Sequence, residues 1–218
     1  TSTSLTTTVA GTAVTSAQLW AKSLNTAVNI TEDALTNYQL ASAVCTDANS
    51  ATTGNTGNFG TLVNNTLTIA AANIKNGADI TCTFTNEKKR NLTIRKSWSN
   101  AKINDAVNIT ATGLTDFSAI AETASEIDSA GAKLATVGAQ ITIAESFTTG
   151  SSANYNASLQ CMTERTTPTV VTVTNNQITM PDENVTCTYT NTGTFIDLSI
   201  VKTQRAGTSG TFTRDPVG

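Results

Sequence analysis

Apolar and polar positions alternate with a period of two along most of the chain. Apolar residues are interleaved with Thr, Ser or Asn in Val28-Asn-Ile-Thr-Glu32, Ile80-Thr-Cys-Thr-Phe-Thr-Asn86, Leu92-Thr-Ile-Arg-Lys96, Ile141-Thr-Ile-Ala-Glu145 and Val185-Thr-Cys-Thr-Tyr-Thr-Asn191. Successive side chains of a strand point to opposite faces, so this alternation predicts half-buried β-strands. Turn-forming clusters such as Asn76-Gly-Ala-Asp79 and Thr149-Gly-Ser-Ser152 separate them. Residues 120–137 have some helical propensity but no 3.6-residue stripe, and are read as loop or strand. The expected class is all-β, with tandem immunoglobulin-like β-sandwich domains.

The pattern is written twice. Asp79-Ile-Thr-Cys-Thr-Phe-Thr-Asn86 recurs as Asn184-Val-Thr-Cys-Thr-Tyr-Thr-Asn191, and Asn91-Leu-Thr-Ile-Arg-Lys96 recurs as Asp197-Leu-Ser-Ile-Val-Lys202. Cys82 to Cys187 and Asn86 to Asn191 are each 105 positions, and Lys96 to Lys202 is 106. Agreement of separate anchors within one residue marks an internal repeat. A looser match aligns Val28–Glu32 with Ile141–Glu145, each followed by a Tyr (Tyr38, Tyr155) and a Cys (Cys45, Cys161). The expected organisation is therefore a repeat over 1–90 that lacks its first strands, a complete repeat over 91–194, and opening strands of a following repeat over 195–218.

Strand phase exposes an anomaly. The face that carries Leu92, Ile94 and Trp98 also carries Lys96; that of Ile141, Ile143 and Phe147 carries Glu145; that of Val185, Cys187 and Tyr189 carries Asn191. In the other copy the same places hold Lys202, Glu32 and Asn86. Each repeat thus turns a Lys, a Glu and an Asn toward its core. A buried ammonium must find a partner or lose its proton. A neutral lysine beside a carboxamide is a nucleophile beside an electrophile, and a buried glutamic acid can move the protons between them. The product is a Lys–Asn isopeptide bond. A buried Lys–Glu ion pair with an Asn hydrogen bond is the non-covalent alternative, and inward charges on edge strands as a guard against aggregation are another.

Composition narrows the function. The chain has 218 residues with no histidine, 13% charged residues and a net charge of −3. No basic footprint for nucleic acid is present, and the commonest general base and metal ligand is missing. No metal site, cofactor, nucleophile elbow or membrane span is expected, and the chain is not read as an enzyme. It opens in mid-pattern at Thr1, as expected of a processed or excised piece. Of the three ways to pair four cysteines, only Cys45–Cys82 with Cys161–Cys187 respects the repeat. Such bridges imply an oxidising compartment; buried free thiols are the alternative.

The order Lys on a first strand, Glu on a middle strand and Asn ending the last resembles the prealbumin-like, collagen-adhesin B-type (SpaA-like) repeat domains of secreted bacterial surface or filament proteins. The resemblance covers 91–194 well, 20–90 in part and 195–202 as a strand start. It implies a bond between Lys96 and Asn191 with Glu145 as catalyst, and an extracellular location on the bacterial surface. Two departures stand out: the family's Pro-Gly-Tyr turn after the Glu lacks its proline here, and a disulfide beside the Asn is not general in the family.

The first repeat holds Glu32 and Asn86 without an upstream lysine strand. Lys202 to Gly218 and on from Thr1 to Glu32 spans 48 residues, against 49 from Lys96 to Glu145. Two readings follow: the chain is a window on a longer array, or copies assemble head to tail by strand donation, with Lys202 bonding to Asn86 of a neighbour under Glu32. The functional expectation is a structural stalk or filament repeat whose partners are copies of itself or adjacent repeats. The alternative is an adhesin module that binds a surface ligand through its loops, although no loop carries an aromatic or Arg cluster.

Overall fold

The computed structural model describes residues 2–195 and, by backbone alone, 203–204 and 213–214. Lys202, and with it the expected Lys202–Asn86 linkage, lies outside the described residues. The strands are β1 (Val28–Thr31), β2 (Tyr38–Asp47), β3 (Thr61–Val63), β4 (Thr66–Ile69), β5 (Ile80–Ser99), β6 (Ala106–Ala111), β7 (Phe117–Ile120), β8 (Glu126–Thr136), β9 (Gln140–Thr149), β10 (Tyr155–Thr163), β11 (Val170–Val171), β12 (Gln177–Thr179) and β13 (Val185–Gly193). A short antiparallel pair, β14 (Thr203–Gln204) and β15 (Thr213–Arg214), follows. The only α-helix among the described residues is the single turn Ser50–Thr53. The architecture is all-β with sandwich-type sheets, and the stretch 120–137 that lacked a helical stripe is mostly strand β8.

The residues divide into two compact units. Unit 1 holds 1–92 with 133–140 and 179–185; unit 2 holds 93–132, 141–178 and 186–218. The boundary expected after residue 90 falls inside β5, which runs without a break from Ile80 to Ser99. The sequence pattern showed two strands there. Glu87-Lys-Lys-Arg90, which joins them, contains no Gly, Pro or Asn to turn the chain. Its backbone is instead held by ladder partners: Lys88 lies opposite Tyr38, and Lys88 O accepts from Val137 N at 2.9 Å.

In unit 1, β1–β4–β3 form one sheet and β2 pairs antiparallel with the first part of β5. The β3–β4 hairpin turns at Asn64, which takes φ 53°, a left-handed conformation that Asn tolerates better than other side chains. The core is small: Ala43, Cys45, Leu67, Ile69 and Ile74 are buried, while Val28, Ile30, Ile80, Cys82 and Phe84 pack on it half-buried. Cys45 and Cys82 face each other in register and are disulfide-bonded.

In unit 2, β12–β9–β6–β7 form a four-stranded sheet, and the order β11–β10–β13–β5, with β8 also paired to β5, forms the facing one. Ile94, Trp98, Val107, Ile109, Ile141, Ile143 and Cys187 are buried. Burying each large side chain of this set contributes about 1.5–3 kcal/mol. Cys161 and Cys187 form the second disulfide. Both cysteine pairs are those that the repeat required.

Candidate functional site

The site in unit 2 grows directly from strand phase. On β5 the inward row Leu92, Ile94, Lys96, Trp98 is buried throughout, and Lys96 is 0% exposed. On β9 the inward row brings Glu145 beneath it, and on β13 the row Val185, Cys187, Tyr189 ends at Asn191, also 0% exposed. Three strands from separate parts of the sequence thus deliver one polar side chain each to the same point.

There, Lys96 Nζ lies 2.8 Å from Glu145 Oε2, and Asn191 Nδ2 donates to Glu145 Oε1 at 2.7 Å. The lysine and carboxylate are close as an ion pair but not aligned for hydrogen bonding, so Nζ and Oε2 lack a well-directed bond. Asn191 Oδ1 is likewise buried without a partner. Burial lowers Lys96 to about 8, against the partial support of Glu145. The Trp98 ring lies 4.4 Å from Nζ and the Tyr189 ring 5.6 Å, closing the pocket with aromatic faces. Burial, with the neighbouring Glu145 charge, raises the Tyr189 phenol.

Unit 1 repeats two thirds of this arrangement. Asn86 Nδ2 donates to Glu32 Oε1 at 2.7 Å, the same distance as in unit 2. Glu32 Oε2 is buried and has no partner. No lysine occupies the third place among the described residues. A cavity of about 210 Å³ lies there instead, lined by Glu32, Leu35, Tyr38, Leu40, Asn65 and Asn86 among others.

Two polar clusters escaped the sequence reading. In unit 1, Asp47 accepts from Thr53 Oγ1 (2.7 Å), Asn55 Nδ2 (2.9 Å) and the backbone amides of Asn49 and Asp79 (2.9 Å each). Burial pushes this carboxyl up, but the four hydrogen bonds outweigh it and hold it at about 2. Asp47 was detectable, since it shares the inward phase of Ala43 and Cys45. In unit 2, buried Asp105 accepts from Tyr155 Oη at 2.7 Å, and Tyr155 Oη accepts from Lys102 N at 3.1 Å. Tyr155 stacks with Phe147 and meets Trp98 and Phe195 edge-on. Burial and the Asp105 bond push its phenol up to about 12. Asp105 lies in a loop with no strand phase, and nothing in the sequence marked it.

Among the described residues no group of His, Cys, Asp or Glu is arranged to hold a metal ion, and no helix is long and apolar enough to cross a membrane.

Each unit is built of β-sheets, with a disulfide between neighbouring strands of one sheet and a Glu–Asn hydrogen bond. Residues 1–88 match the SpaA-type family model described as a prealbumin-like fold domain, and this part of the chain is such a domain. No curated protein and no solved structure matches the chain.

Proposed function

We propose that the chain is a structural repeat unit of an extracellular bacterial surface stalk or filament. Two tandem prealbumin-like sandwiches are locked by disulfides and, in unit 2, by an isopeptide bond between Lys96 and Asn191. The observation that supports this most directly is a lysine with no exposure at all, 2.8 Å from a carboxylate that also receives the amide of Asn191. An ion pair so buried is a weak source of stability, because desolvation offsets the Coulombic gain. The same desolvation favours passing the proton from Nζ to Oε2, which leaves a neutral amine and a neutral acid.

The chemistry then balances without oxidant or cofactor. Rotation of the Asn191 amide turns Oδ1 toward the protonated Glu145, which polarises the carbonyl. The Nζ lone pair attacks Cγ, and a C–N bond forms. Glu145 accepts a proton from Nζ and passes one to the departing Nδ2, which leaves as ammonia. Trp98 and Tyr189 exclude the water that would hydrolyse the amide instead. The role of the bond is mechanical and protective, and the chain acts on no other substrate.

Intact mass of the folded protein, followed by peptide mapping without reduction, tests this. Two disulfides and loss of one ammonia, mapped to Lys96–Asn191 and absent from Glu145→Gln, is the expected result. An unmodified mass would overturn the bond and leave a non-covalent triad inside a disulfide-tied sandwich.

A further inference from the structure

Strand β13 carries the asparagine of the proposed crosslink and a disulfide cysteine, four positions apart and on the same face. We propose that the Cys161–Cys187 disulfide is the positioning element of the crosslinking reaction. It fixes the register of β13 so that Asn191 meets Glu145 and Lys96, and the bond forms efficiently only after oxidation. The proposal rests on the chemistry put forward for Lys96, Glu145 and Asn191, and adds the condition under which it runs.

The need for such an element is written in β13 itself. Its outward row is Thr186, Thr188, Thr190 and Thr192, one residue type at every place, and its inward row sets Cys187 and Tyr189 before Asn191. A slip by one residue would turn the apolar row outward, and burial of that face forbids it. A slip by two replaces threonine with threonine outside and keeps the apolar phase inside, so the pattern of the strand does little to oppose it. Yet it would carry Asn191 about 6–7 Å along the strand and set Tyr189 or Gly193 in its place. The 2.7 Å contact from Asn191 Nδ2 to Glu145 Oε1 would then be lost. Attack of Lys96 Nζ on the amide carbon needs the reacting atoms about 3–3.5 Å apart. A slipped strand is therefore folded and unreactive.

The disulfide removes that freedom. Strand β13 lies between β10, which carries Cys161, and β5, which carries Lys96. A bridge demands Cβ atoms about 3.5–4.5 Å apart, so Cys187 reaches Cys161 in one register only. In that register Asn191 lies against Glu145. Cys161, Cys187 and Asn191 are all fully buried. The other ties near this end of the strand are Asn100 Nδ2 to Gly193 O at 3.0 Å and Thr194 N to Asn154 O at 2.9 Å, hydrogen bonds that water can replace.

Unit 1 repeats the device. Cys82 precedes Asn86 by four positions, Thr81, Thr83 and Thr85 form the other row, and Asn86 meets Glu32 at 2.7 Å. Its ladder shows that such a row admits a shift: the register of β2 on β5 changes between Leu40 and Ser42, while Cys45 and Cys82 stay direct partners. Both steps balance. Oxidation takes two electrons and two protons from the thiols of Cys161 and Cys187 and gives them to a small-molecule disulfide, which leaves as two thiols. The crosslink then forms with loss of one ammonia, as written above.

Cell-free synthesis of the full-length chain, with either a dithiol reductant or oxidised glutathione, tests this. Samples are quenched in acid, alkylated at free thiols and read by intact mass and peptide mapping. Ammonia loss should follow closure of the Cys161–Cys187 bridge, and without the bridge should run about 10²-fold slower per folded molecule. Trp98 emission gives the folded fraction. Cys161→Val with Cys187→Val, which fills the core without a bridge, should be equally slow. Cys45→Val with Cys82→Val, which opens only the unit 1 bridge, should keep the wild-type rate. The pH midpoint of the rate should stay fixed throughout, because Lys96 and Glu145 are untouched. If the Cys161→Val, Cys187→Val chain has native emission and crosslinks at the wild-type rate, the positioning assignment is overturned and the proposed function stands. If neither that chain nor the reduced wild type reaches native emission, the bridge acts on folding alone and the assignment is equally overturned. If the oxidised wild type loses no ammonia, the shared chemistry fails.

Discussion

Replacing Asn191 by Ala removes the electrophile and leaves Lys96 and Glu145 in place, which makes the contribution of the bond measurable. The proposed Lys96–Asn191 link would close a loop of 95 residues, of which the Cys161–Cys187 disulfide inside it already withholds 26. The effective loop is about 70 residues, for which the chain-entropy relation gives about 4.4 kcal/mol. The Asn191 Nδ2 hydrogen bond to Glu145 does not add to this, because that nitrogen leaves as ammonia when the link forms. Asn191→Ala should therefore destabilise unit 2 by about 4–5 kcal/mol. The chain supplies its own probe, since its two tryptophans are Trp98, 2% exposed, and Trp20, 84% exposed. Denaturant titration followed by tryptophan emission reports mainly the environment of Trp98, and so unit 2. A loss near 1–3 kcal/mol, with a wild-type intact mass that shows no loss of ammonia, would refute the crosslink and leave only the lost hydrogen bond.

Without the bond, Lys96 must be buried as a titrating group. Its folded pKa, about 8, lies below its unfolded value, so the unfolded chain binds more protons between about 8 and the ordinary lysine range. The stability of Asn191→Ala should rise as pH increases through that window, whereas crosslinked wild type, with no amine left at Lys96, should be flat there. Tyr155→Phe leaves Asp105 without its phenol donor and should lower the unfolding free energy read from Trp98 emission by about 1–3 kcal/mol. Gly150→Ala should be worse tolerated than most surface changes, because φ is +88° and the added Cβ would lie 2.5 Å from the Asp105 carboxyl carbon; thermal melting checks it. Asp47 is held at about 2, so the order it gives unit 1 is present above the ordinary Asp range and lost as pH falls toward 2. Amide exchange at Asn49 and Asp79 should accelerate on acidification, and at all pH values in Asp47→Ala.

The strands were legible because burial on one face imposes a period of two, and a polar residue on that face stands out against its neighbours. Lys96, Glu145, Asn191, Glu32 and Asn86 were visible for that reason alone, before any distance was known. The cysteine pairing followed from repeat symmetry, and Cys45 and Cys82 are direct ladder partners. What the sequence concealed was the continuity of β5. Two alternating runs look like two strands when four charged residues separate them, and only cross-strand partners from residues 38 and 137 keep the join extended. Asp105 stayed hidden because a loop residue has no phase to violate; its burial is set by Tyr155, 50 positions away.

The two disulfides bear on how the chain lengthens under load. Pulled from its ends, the backbone path can pass through each sulfur bridge instead of the loop it closes. Cys45–Cys82 withholds 37 residues and Cys161–Cys187 withholds 26. At roughly 3.3–3.6 Å per extended residue, about 20 nm of contour stays folded out of reach of tension. A link from Lys96 to Asn191 would enclose the second of these loops, so that unit 2 transmits force along its first strand as an almost inextensible tether.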